Sequence, residues 1–407
     1  MPLKGNFITI NKFQFINKIL ANTKMSRYLP YMLYTPVSIL AFLLIRILSP
    51  LKVIKFGLLN SHRIGHFSIE WEIFYHSHIK ENKEIYVLSF HKEISNKFFA
   101  NMIKKKIKIY PTKFVKLIQF FNNTFLGSEK HEINFHEYRH DKSNMLINFS
   151  PSLKFTNQEI EKGESFLSKY KNKKIICLYC RDGKYLSDKY NFDDTKNIRN
   201  TNVNDLIDSL KELEKKNYLI FRMGKNVEIK LNYTSDNVID YANSQYRSDF
   251  MDIYLTSKCE FFISSGGGLD GVAVIFDKPI LYINYVPIGA LSVGSNKSLF
   301  SYKKYFDKNK NNYLSLSKIF QYDLAYSYEV INKIGISLKN MDSIELRDVV
   351  LEMEKFYRDI KITDKQKLFK KKFALLVKKY PNNKLYFGNV FPSISNNFVK
   401  KNSFFLD

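Results

Sequence analysis

The chain has 407 residues, of which 45% are hydrophobic and 25% charged, with only 15 Gly and 10 Pro. This composition is that of a folded globular protein, and it excludes wholesale disorder and fibrous repeats. The length predicts two or three domains. The net charge of +25 comes mostly from lysine, because 54 of the 64 basic residues are Lys and 10 are Arg. We interpret most of the lysines as solvated surface and the few arginines as the more informative cations.

The three cysteines indicate no disulfide framework and suit a reducing compartment. Cys177 and Cys180 have the spacing of a metal or redox pair, but they lie in an apolar run that predicts a buried strand. Residues three apart on a strand face opposite sides, so the two thiols cannot share a ligand. We predict core cysteines and no metal site.

The basic residues concentrate at the two ends of the chain. Residues 1–69 contain nine Lys or Arg and no acid, and residues 365–406 contain ten Lys and no acid. Ends of this kind suit an acidic partner, and nucleic acid and anionic lipid are the two candidates.

The N-terminal end favours lipid. The segment Leu29–Leu48 is nearly all apolar, but two prolines and Arg46 interrupt it. Its clean apolar run, Val37–Ile45, is shorter than the roughly 20 residues of a spanning helix. An amphipathic apolar and basic stretch precedes it, which is typical of a helix lying in the membrane plane. We predict a membrane-associating segment over residues 1–50; a spanning helix and ordinary core helices are the alternatives.

From residue 53 onward, predicted strands and helices alternate in two successive blocks. The first block has strands Val53–Leu59, Glu84–Phe90 and Ile107–Tyr110 with helices Phe67–Ile79 and Ile94–Ile103. The polar, His-rich stretch Asn122–Asn144 is predicted to be irregular. The second block has strands Lys174–Cys180, Tyr218–Arg222, Val238–Tyr241, Glu260–Ser264 and Pro279–Tyr285, with helices Asn157–Tyr170, Val203–Lys215, Asp249–Ser257, Leu269–Phe276 and Ser343–Phe356. This alternation predicts an α/β protein with two Rossmann-like domains that face each other across a cleft.

A glycine-rich loop follows the strand Glu260–Ser264 and opens a helix. It consists of Ser265, Gly266, Gly267 and Gly268. Glycines let a ligand approach the backbone, and a helix start offers N–H groups to a phosphate. The loop is therefore a candidate phosphate site, and a tight structural turn is the alternative.

Several charged residues are predicted at the carboxyl ends of strands or just before a helix. Arg181 and Asp182 follow one strand, Arg222 ends the next, and Arg247 precedes the helix at Asp249. Arginine at such a rim suits two-point binding of a diphosphate. Each one alone is also compatible with an ordinary ion pair, so the hypothesis depends on their coincidence with the glycine loop.

Several motifs resemble a family of bacterial glycosyltransferases associated with surface-polysaccharide assembly, and more distantly the fucosyltransferase superfamily. The resemblance covers about Val53 to Phe356. Its motifs are Arg63-Ile64-Gly65-His66-Phe67, Arg181-Asp182, Phe221-Arg222-Met223-Gly224, Ile239-Asp240-Tyr241-Ala242 and Arg247-Ser248-Asp249-Phe250-Met251-Asp252. The distant likeness rests on Ile175–Asp182 and Asp249–Gly268. The triple glycine departs from the superfamily's usual polar loop, so the resemblance does not identify the donor sugar nucleotide of this protein.

The resemblance implies a GT-B fold, no cofactor and no metal, and a nucleotide-sugar donor held on the C-terminal domain. The corresponding division is a membrane-associating segment over 1–50, an N-terminal acceptor-side domain over 51–150 and a nucleotide-sugar-binding domain over 151–340. Residues 341–407 are then C-terminal helices that return to the N-terminal domain.

All eight histidines lie between His62 and His140, in the part that we predict to hold the acceptor. His66 sits in the turn after a predicted strand, and an imidazole near its ordinary pKa of about 6.5 can take a proton from an acceptor hydroxyl. His62 and Glu70 are rival candidates, and Arg63 is a further acceptor-side residue. A packing or capping histidine is the alternative for His66.

The favoured function is transfer of a hexosyl or deoxyhexosyl group from a nucleotide-diphosphate sugar to a membrane-linked glycan, in lipopolysaccharide or capsule synthesis. We expect the enzyme to be peripheral or monotopic on the cytoplasmic face of a bacterial inner membrane. The alternatives are a GT-B-like nucleotide-sugar epimerase and a basic nucleic-acid-binding protein. The basic ends are Lys-dominated and flank an apolar segment, which favours an anionic membrane surface over nucleic acid.

Overall fold

A computed structural model describes residues 25–80, 84–141, 143–170, 173–191, 197–290, 297–325, 335–380 and 393–407. Within this part of the chain, contacts between residues define two compact units. The smaller unit contains residues 25–59, 84–92 and 107–135. The larger unit contains residues 60–80, 93–106 and the described residues from 136 onward.

The described residues between 25 and 135 form helices interspersed with strands. Their elements are α1 (Met25–Leu48), β1 (Ile54–Leu59), α2 (Ile64–Phe74), β2 (Ile85–Phe90), α3 (Lys97–Lys104), α4 (Thr112–Asn122) and β3 (Glu132–Ile133). A five-residue π-helix, Tyr75–Ile79, continues α2 directly.

The smaller unit is built on a three-stranded parallel sheet in the order β2-β1-β3. Helices α1 and α4 pack on each other, and their apolar side chains meet the sheet in one core. Ile45 of α1, Phe56 of β1 and Val115 and Ile118 of α4 are the buried residues of this core. The prediction of a third strand at Ile107–Tyr110 is wrong, because only Ile109 forms a bridge there, to Leu88. The third strand comes instead from the stretch predicted to be irregular.

Helix α1 runs without a break through Pro36, although the sequence suggested an interrupted segment. Within the described residues, no helix has the combination of length and hydropathy that a membrane crossing requires. The predicted amphipathic stretch before α1 lies outside the described residues.

The rest of the chain forms most of the larger unit. Its elements are α5 (Asn157–Ser168), β4 (Lys174–Tyr179), α6 (Lys184–Tyr190), α7 (Ile207–Lys215), β5 (Tyr218–Arg222), β6 (Val238–Ile239), α8 (Asp249–Lys258), β7 (Phe261–Ser264), α9 (Asp270–Ile275), β8 (Ile280–Tyr285), β9 (Leu299–Tyr302), β10 (Lys304–Asp307), β11 (Asn312–Tyr313), α10 (Leu316–Gln321), β12 (Ile336–Lys339), α11 (Ser343–Phe356), α12 (Asp364–Lys379), β13 (Ser393–Ile394) and α13 (Asn396–Lys401).

A seven-stranded, wholly parallel sheet forms the centre of this unit, in the order β13-β9-β8-β7-β4-β5-β6. Strands β4, β7 and β8 are almost entirely buried, as expected for a parallel sheet covered on both faces. From β4 the chain proceeds to β5 and β6 on one side, and then returns to β7 on the other side of β4. The strand order therefore reverses between β4 and β7.

The fold class and most predicted elements are confirmed: the molecule is α/β with parallel sheets. Cys177 and Cys180 are buried and unbridged, as predicted. Helix α11 begins where the sequence predicts it, and Asp342 and Glu345 form a capping box at its start. Between β8 and α11, where the sequence analysis predicts no strand or helix, the chain forms β9, α10 and a small antiparallel sheet, β11-β10-β12.

The grouping of residues into units differs from the division drawn from the sequence. Helices α2 and α3 belong to the larger unit, although the neighbouring elements in the sequence, β1, β2 and α4, belong to the smaller one. His66 and its neighbours therefore share a unit with the glycine loop. The predicted cleft between two facing domains and the return of the C-terminal helices stay predictions.

Candidate functional site

The reversal of strand order places Arg181 and the glycine loop next to each other. Arg181 lies two residues beyond the end of β4, and the loop follows β7. The Arg181 backbone N–H donates to Ser265 Oγ at 2.9 Å, and the Ser265 N–H donates to the Tyr179 carbonyl at 3.1 Å. Crevices at the carboxyl ends of strands, where the strand order reverses, are the usual ligand sites of open α/β sheets.

A pocket of about 350 Å³ opens at this point, within the range typical of small-ligand sites. All of its lining residues belong to the larger unit. The lining is strongly cationic, with Arg63, Arg139, Arg181, Arg199, Lys225 and Arg247. Three carboxylates also line it, those of Asp182, Asp252 and Asp270. The excess of cations favours an anionic ligand.

The glycine loop lines the pocket and is tightly packed. Gly266 has a φ of +86°, which favours glycine, and a Cβ on Gly267 would lie 2.0 Å from the Tyr179 ring. Its N–H groups are not all available to a phosphate, contrary to the simple expectation. The Gly266 N–H donates to Ser264 Oγ at 3.0 Å, and the Gly267 N–H donates to Asp270 Oδ2 at 3.1 Å. Positive charge in the pocket thus comes mainly from side chains.

Arg199 is a pocket residue that the sequence interpretation missed. Its Nη2 donates to the Gly266 carbonyl at 2.9 Å, so its guanidinium is fixed beside the glycine loop. Arg139 and His140 also line the pocket and were also missed. None of the three directly adjoins a strand of the large sheet. A search for charged residues at the carboxyl ends of strands, which identified Arg181, therefore does not find them.

Arg222 does not line the pocket. Its side chain is buried, and Nη1 donates to Asp240 Oδ1 at 3.0 Å while Nη2 donates to the Ile229 carbonyl at 2.7 Å. These contacts fasten the chain between β5 and β6, because the partners lie in that connection and directly after β6. Arg222 is therefore a packing residue in this structure, and contact with a donor is not supported by its position.

Arg247 lines the pocket while held by two carboxylates. Its Nη2 donates to Asp249 Oδ1 at 2.9 Å and to Asp252 Oδ2 at 2.6 Å. Asp182 also lines the pocket, but its Oδ2 accepts the N–H of Glu228 at 2.8 Å. Much of the charge on Arg247 is therefore compensated by Asp249 and Asp252.

His66 lines the pocket between cations rather than near a carboxylate. Burial, reinforced by the positive charges of Arg139 and Arg63, lowers the pKa of His66 to about 3. The ordinary imidazole pKa assumed from the sequence is thus wrong, because these surroundings disfavour the charged ring. The ring is neutral at physiological pH, and it is a poor base unless an anion offsets the two arginines.

The other acceptor-side candidates occupy different surroundings. Glu70 is fully buried, outside the pocket lining, where its carboxylate accepts Asn60 Nδ2 at 2.7 Å and Arg139 Nε at 3.1 Å. Burial, partly offset by these partners, raises the pKa of Glu70 to about 7. Arg63 lines the pocket, with its guanidinium 5.4 Å from the ring centre of Tyr190. His62 is not in the lining, and its carbonyl accepts Lys189 Nζ.

Asp270 is the acidic residue of the pocket that the sequence interpretation overlooked. It is the first residue of α9, and its Oδ2 accepts Ser264 Oγ and the Gly267 N–H, both at 3.1 Å. Burial raises the pKa of Asp270 to about 6 despite these hydrogen bonds. Its Oδ1 is buried and has no partner among the described residues.

Over the described part of the chain, no group of three or more His, Cys, Asp or Glu side chains is arranged to hold a metal ion.

Comparisons with known proteins give only weak structural likenesses. No protein-family model matches the chain, and no curated protein matches it by sequence. Escherichia coli ADP-heptose lipopolysaccharide heptosyltransferase II is 11% identical, with 61% of this chain and 90% of that chain covered, at a TM-score of 0.38. A family 9 glycosyl transferase from Veillonella parvula is 8% identical, with 61% and 86% covered, at a TM-score of 0.39.

A third solved structure, of Staphylococcus aureus MnaA with UDP, is 12% identical and covers 76% of this chain and 98% of that chain, at a TM-score of 0.30. At such identities and scores, these likenesses do not establish a shared activity for this chain. The functional conclusion has to come from the site itself.

Proposed function

We propose that the protein is a glycosyltransferase that uses a nucleotide-diphosphate sugar as its donor. One observation carries the proposal. A pocket with six Arg or Lys residues in its lining lies at the carboxyl edge of a parallel sheet, where the strand order reverses between β4 and β7. A diphosphate is the ligand that this charge and position suit best.

The pocket's residues suggest how the reaction is assisted. When the bond between the sugar and the diphosphate breaks, negative charge develops on the leaving group. Arg181 and Arg199, which both hydrogen-bond to the glycine loop, neutralise that charge, and Arg63 and Arg139 add to the positive field. Groups already fixed in place stabilise such a charge more effectively than solvent does.

In this proposal His66 faces the acceptor. If the reaction inverts the anomeric centre, His66 accepts the proton of the attacking hydroxyl. A donor diphosphate beside Arg63 and Arg139 would offset the positive charge that lowers the pKa of His66. If the reaction retains the anomeric centre, His66 only orients the acceptor hydroxyl.

We further propose that the acceptor is a membrane-linked glycan of a bacterial surface polysaccharide, handled at the inner membrane's cytoplasmic face. Support comes from the basic segments 1–69 and 365–406, which contain no acid, and from the motifs that resemble surface-polysaccharide glycosyltransferases. No nucleic acid partner, cofactor or metal is part of the proposal.

Donor binding is tested with Arg181→Ala. Calorimetric titration with UDP, GDP, ADP and CDP should give binding of at least one nucleotide to the natural protein. We expect Arg181→Ala to weaken that binding by about 10- to 100-fold, the loss of a charge-assisted hydrogen bond of about 1.5–3 kcal/mol. Arg347→Ala is the matched control, because Arg347 pairs with Asp348 on α11 and does not line the pocket.

If Arg181→Ala and Arg347→Ala bind the nucleotide equally well, Arg181 is not part of the binding site. If the natural protein binds none of the four nucleotides, the proposed function is wrong. The reaction itself is then followed with the matching nucleotide sugars. A glycosyltransferase consumes the donor only when an acceptor glycan is added. An epimerase converts the sugar without an acceptor, and that result would contradict glycosyl transfer.

A further inference from the structure

Helix α1 presents an exposed apolar surface that the pocket does not explain. One side of the helix packs into the smaller unit through Ser38, Phe42 and Ile45, which are buried. The other side exposes large apolar side chains from residue 32 to residue 48. They are Met32, Leu33, Val37, Ile39, Leu40, Leu43, Leu44, Ile47 and Leu48.

The exposed surface is wide and uncharged. At about 100° per residue, its apolar side chains spread over roughly 180°, half of the helix circumference. From residue 32 to 48, the only charged residue is Arg46, and its guanidinium is turned to the protein. Arg46 Nη2 donates to Asn122 Oδ1 at 2.7 Å, and Nη1 donates to the Leu126 carbonyl at 3.1 Å.

The contacts of Arg46 extend this surface with a loop after α4. Phe125 packs on Phe42 with ring centres 5.1 Å apart, so the loop lies against α1. Leu126 is 98% exposed, Phe125 is 56% exposed, and Phe120 at the end of α4 is 64% exposed. We call α1 from residue 32 to 48, together with these three residues, the apolar face.

The charge around the apolar face is also one-sided. The described residues of the smaller unit contain nine Lys or Arg and three Glu. Lys52 and Lys116 are exposed, and Lys116 lies one helical turn before Phe120. Residues 1–24, which precede α1, add four Lys and no acid. Such a surface combines apolar contact with attraction to negative charge.

We propose that the apolar face is a docking surface for an anionic lipid bilayer, with α1 lying along the membrane. The width of the surface decides between lipid and a second copy of the chain. A helix that pairs with a second protein helix needs only a narrow apolar stripe flanked by polar residues. An uncharged apolar surface that covers half of the helix circumference instead suits the acyl region of a bilayer, below the headgroups. This inference rests on the smaller unit alone and does not depend on the donor pocket.

Vesicle sedimentation of the full-length protein tests the proposal. The vesicles are phosphatidylcholine alone, or phosphatidylcholine with about a third phosphatidylglycerol. We expect binding to the anionic vesicles, and we expect the triple variant Leu33→Ser, Leu40→Ser, Ile47→Ser to bind them about tenfold less or weaker still. The control is Ile160→Ser, Ile344→Ser, Ile360→Ser, which replaces three exposed apolar residues of the larger unit and should bind as the natural protein does.

Charge and depth are tested separately. Lys52→Glu with Lys116→Glu should weaken binding to anionic vesicles and leave binding to neutral ones unchanged. The chain's single Trp, Trp71, is buried, so a new tryptophan reports its own surroundings. Fluorescence of Leu40→Trp should be quenched by brominated lipid, whereas Ile344→Trp should not be.

Three results would overturn the proposal. The first is full-length protein that does not sediment with anionic vesicles. The second is equal sedimentation of the two triple serine variants, provided that their circular dichroism matches the natural protein. The third is a dimer that the Leu33, Leu40 and Ile47 variant dissociates while vesicle binding is unchanged, which would assign the apolar face to a second copy.

Discussion

Gly65 and Gly268 pack backbone against backbone: a Cβ on Gly65 would lie 2.9 Å from the Gly268 Cα. A Cβ on Gly271 would likewise lie 3.0 Å from the Gly65 carbonyl oxygen. The start of α2 therefore lies directly against the start of α9. This contact brings His66 and the glycine loop to one pocket, although they are about 200 residues apart in sequence.

We predict that Gly65→Ala is destabilising, because the new methyl group has no room beside the Gly268 backbone. Inserting one methylene-sized group into a close contact costs about 1–3 kcal/mol. Urea unfolding measures the change. Asn101→Ala on the exposed side of α3 is the control and should change the free energy of unfolding by less than about 0.5 kcal/mol. A Gly65→Ala protein as stable as the control would contradict this close packing.

Arg222 and Arg199 should respond differently to truncation. Arg222→Ala leaves Asp240 without its buried partner, so we expect a loss of about 3–5 kcal/mol of folding stability. Arg199→Ala should instead weaken nucleotide binding by about tenfold or more with a small effect on stability. Thermal unfolding and calorimetric titration of both variants separate the two roles. If Arg222→Ala is as stable as the natural protein but does not bind nucleotide, Arg222 is a binding residue and this prediction is wrong.

Asp270 should make stability depend on pH in a specific direction. Its pKa is about 6 in the folded protein, against about 3.9 in the unfolded chain. The folded state then holds more protons between about pH 4 and 6, so the free energy of unfolding falls as the pH rises through this window. Asp270→Asn removes this contribution. Relative to the variant, the natural protein should lose about 2–3 kcal/mol between pH 4 and 7.

Urea unfolding of both proteins across that pH range provides the measurement for Asp270. A difference between them that stays constant with pH would contradict the prediction, because it would mean that folding does not shift the pKa of Asp270.

His66 should report the arrival of a diphosphate. Burial, Arg139 and Arg63 hold the pKa of His66 at about 3. A bound anion favours the imidazolium and should raise this pKa by at least about one unit. A titration of the histidine Cε1 proton by NMR, with and without the nucleotide that binds, measures the shift, and His66→Gln assigns the resonance. An unchanged pKa would place the diphosphate away from Arg63 and Arg139.

Helix α6 should be less protected than the sheet beside it. None of its residues is buried, and it is flanked by Gly183 and Asn191, both with positive φ. Few buried contacts allow local opening at a low free energy. We expect amide hydrogens of Lys184–Tyr190 to exchange faster than those of β4, and to slow when nucleotide binds, because Tyr185 and Leu186 line the pocket. Equal exchange in both segments would contradict this.

Local patterns accounted for the strands and helices well. The strand Tyr218–Arg222 and the capped helix Ser343–Phe356 match their predicted bounds, because burial and capping leave direct traces in sequence. The strand β3 was missed because it has only two residues, too few for any periodicity. The small sheet of β10, β11 and β12 was missed because its strands also are short and their pairing joins residues about 30 apart.

What the sequence by itself determined is the α/β class, the buried cysteines and the placing of Arg181 at the end of a strand, since these follow from hydrophobic period and chain direction. The tertiary structure alone decided which charges meet. In the folded protein, Arg199 donates to the Gly266 carbonyl, and the buried Arg222 pairs with Asp240. The charges of Arg63 and Arg139 both act on His66. Hydrophobic period depends on neighbours a few residues away, whereas an ionisable group's pKa and partners depend on residues brought close only by folding.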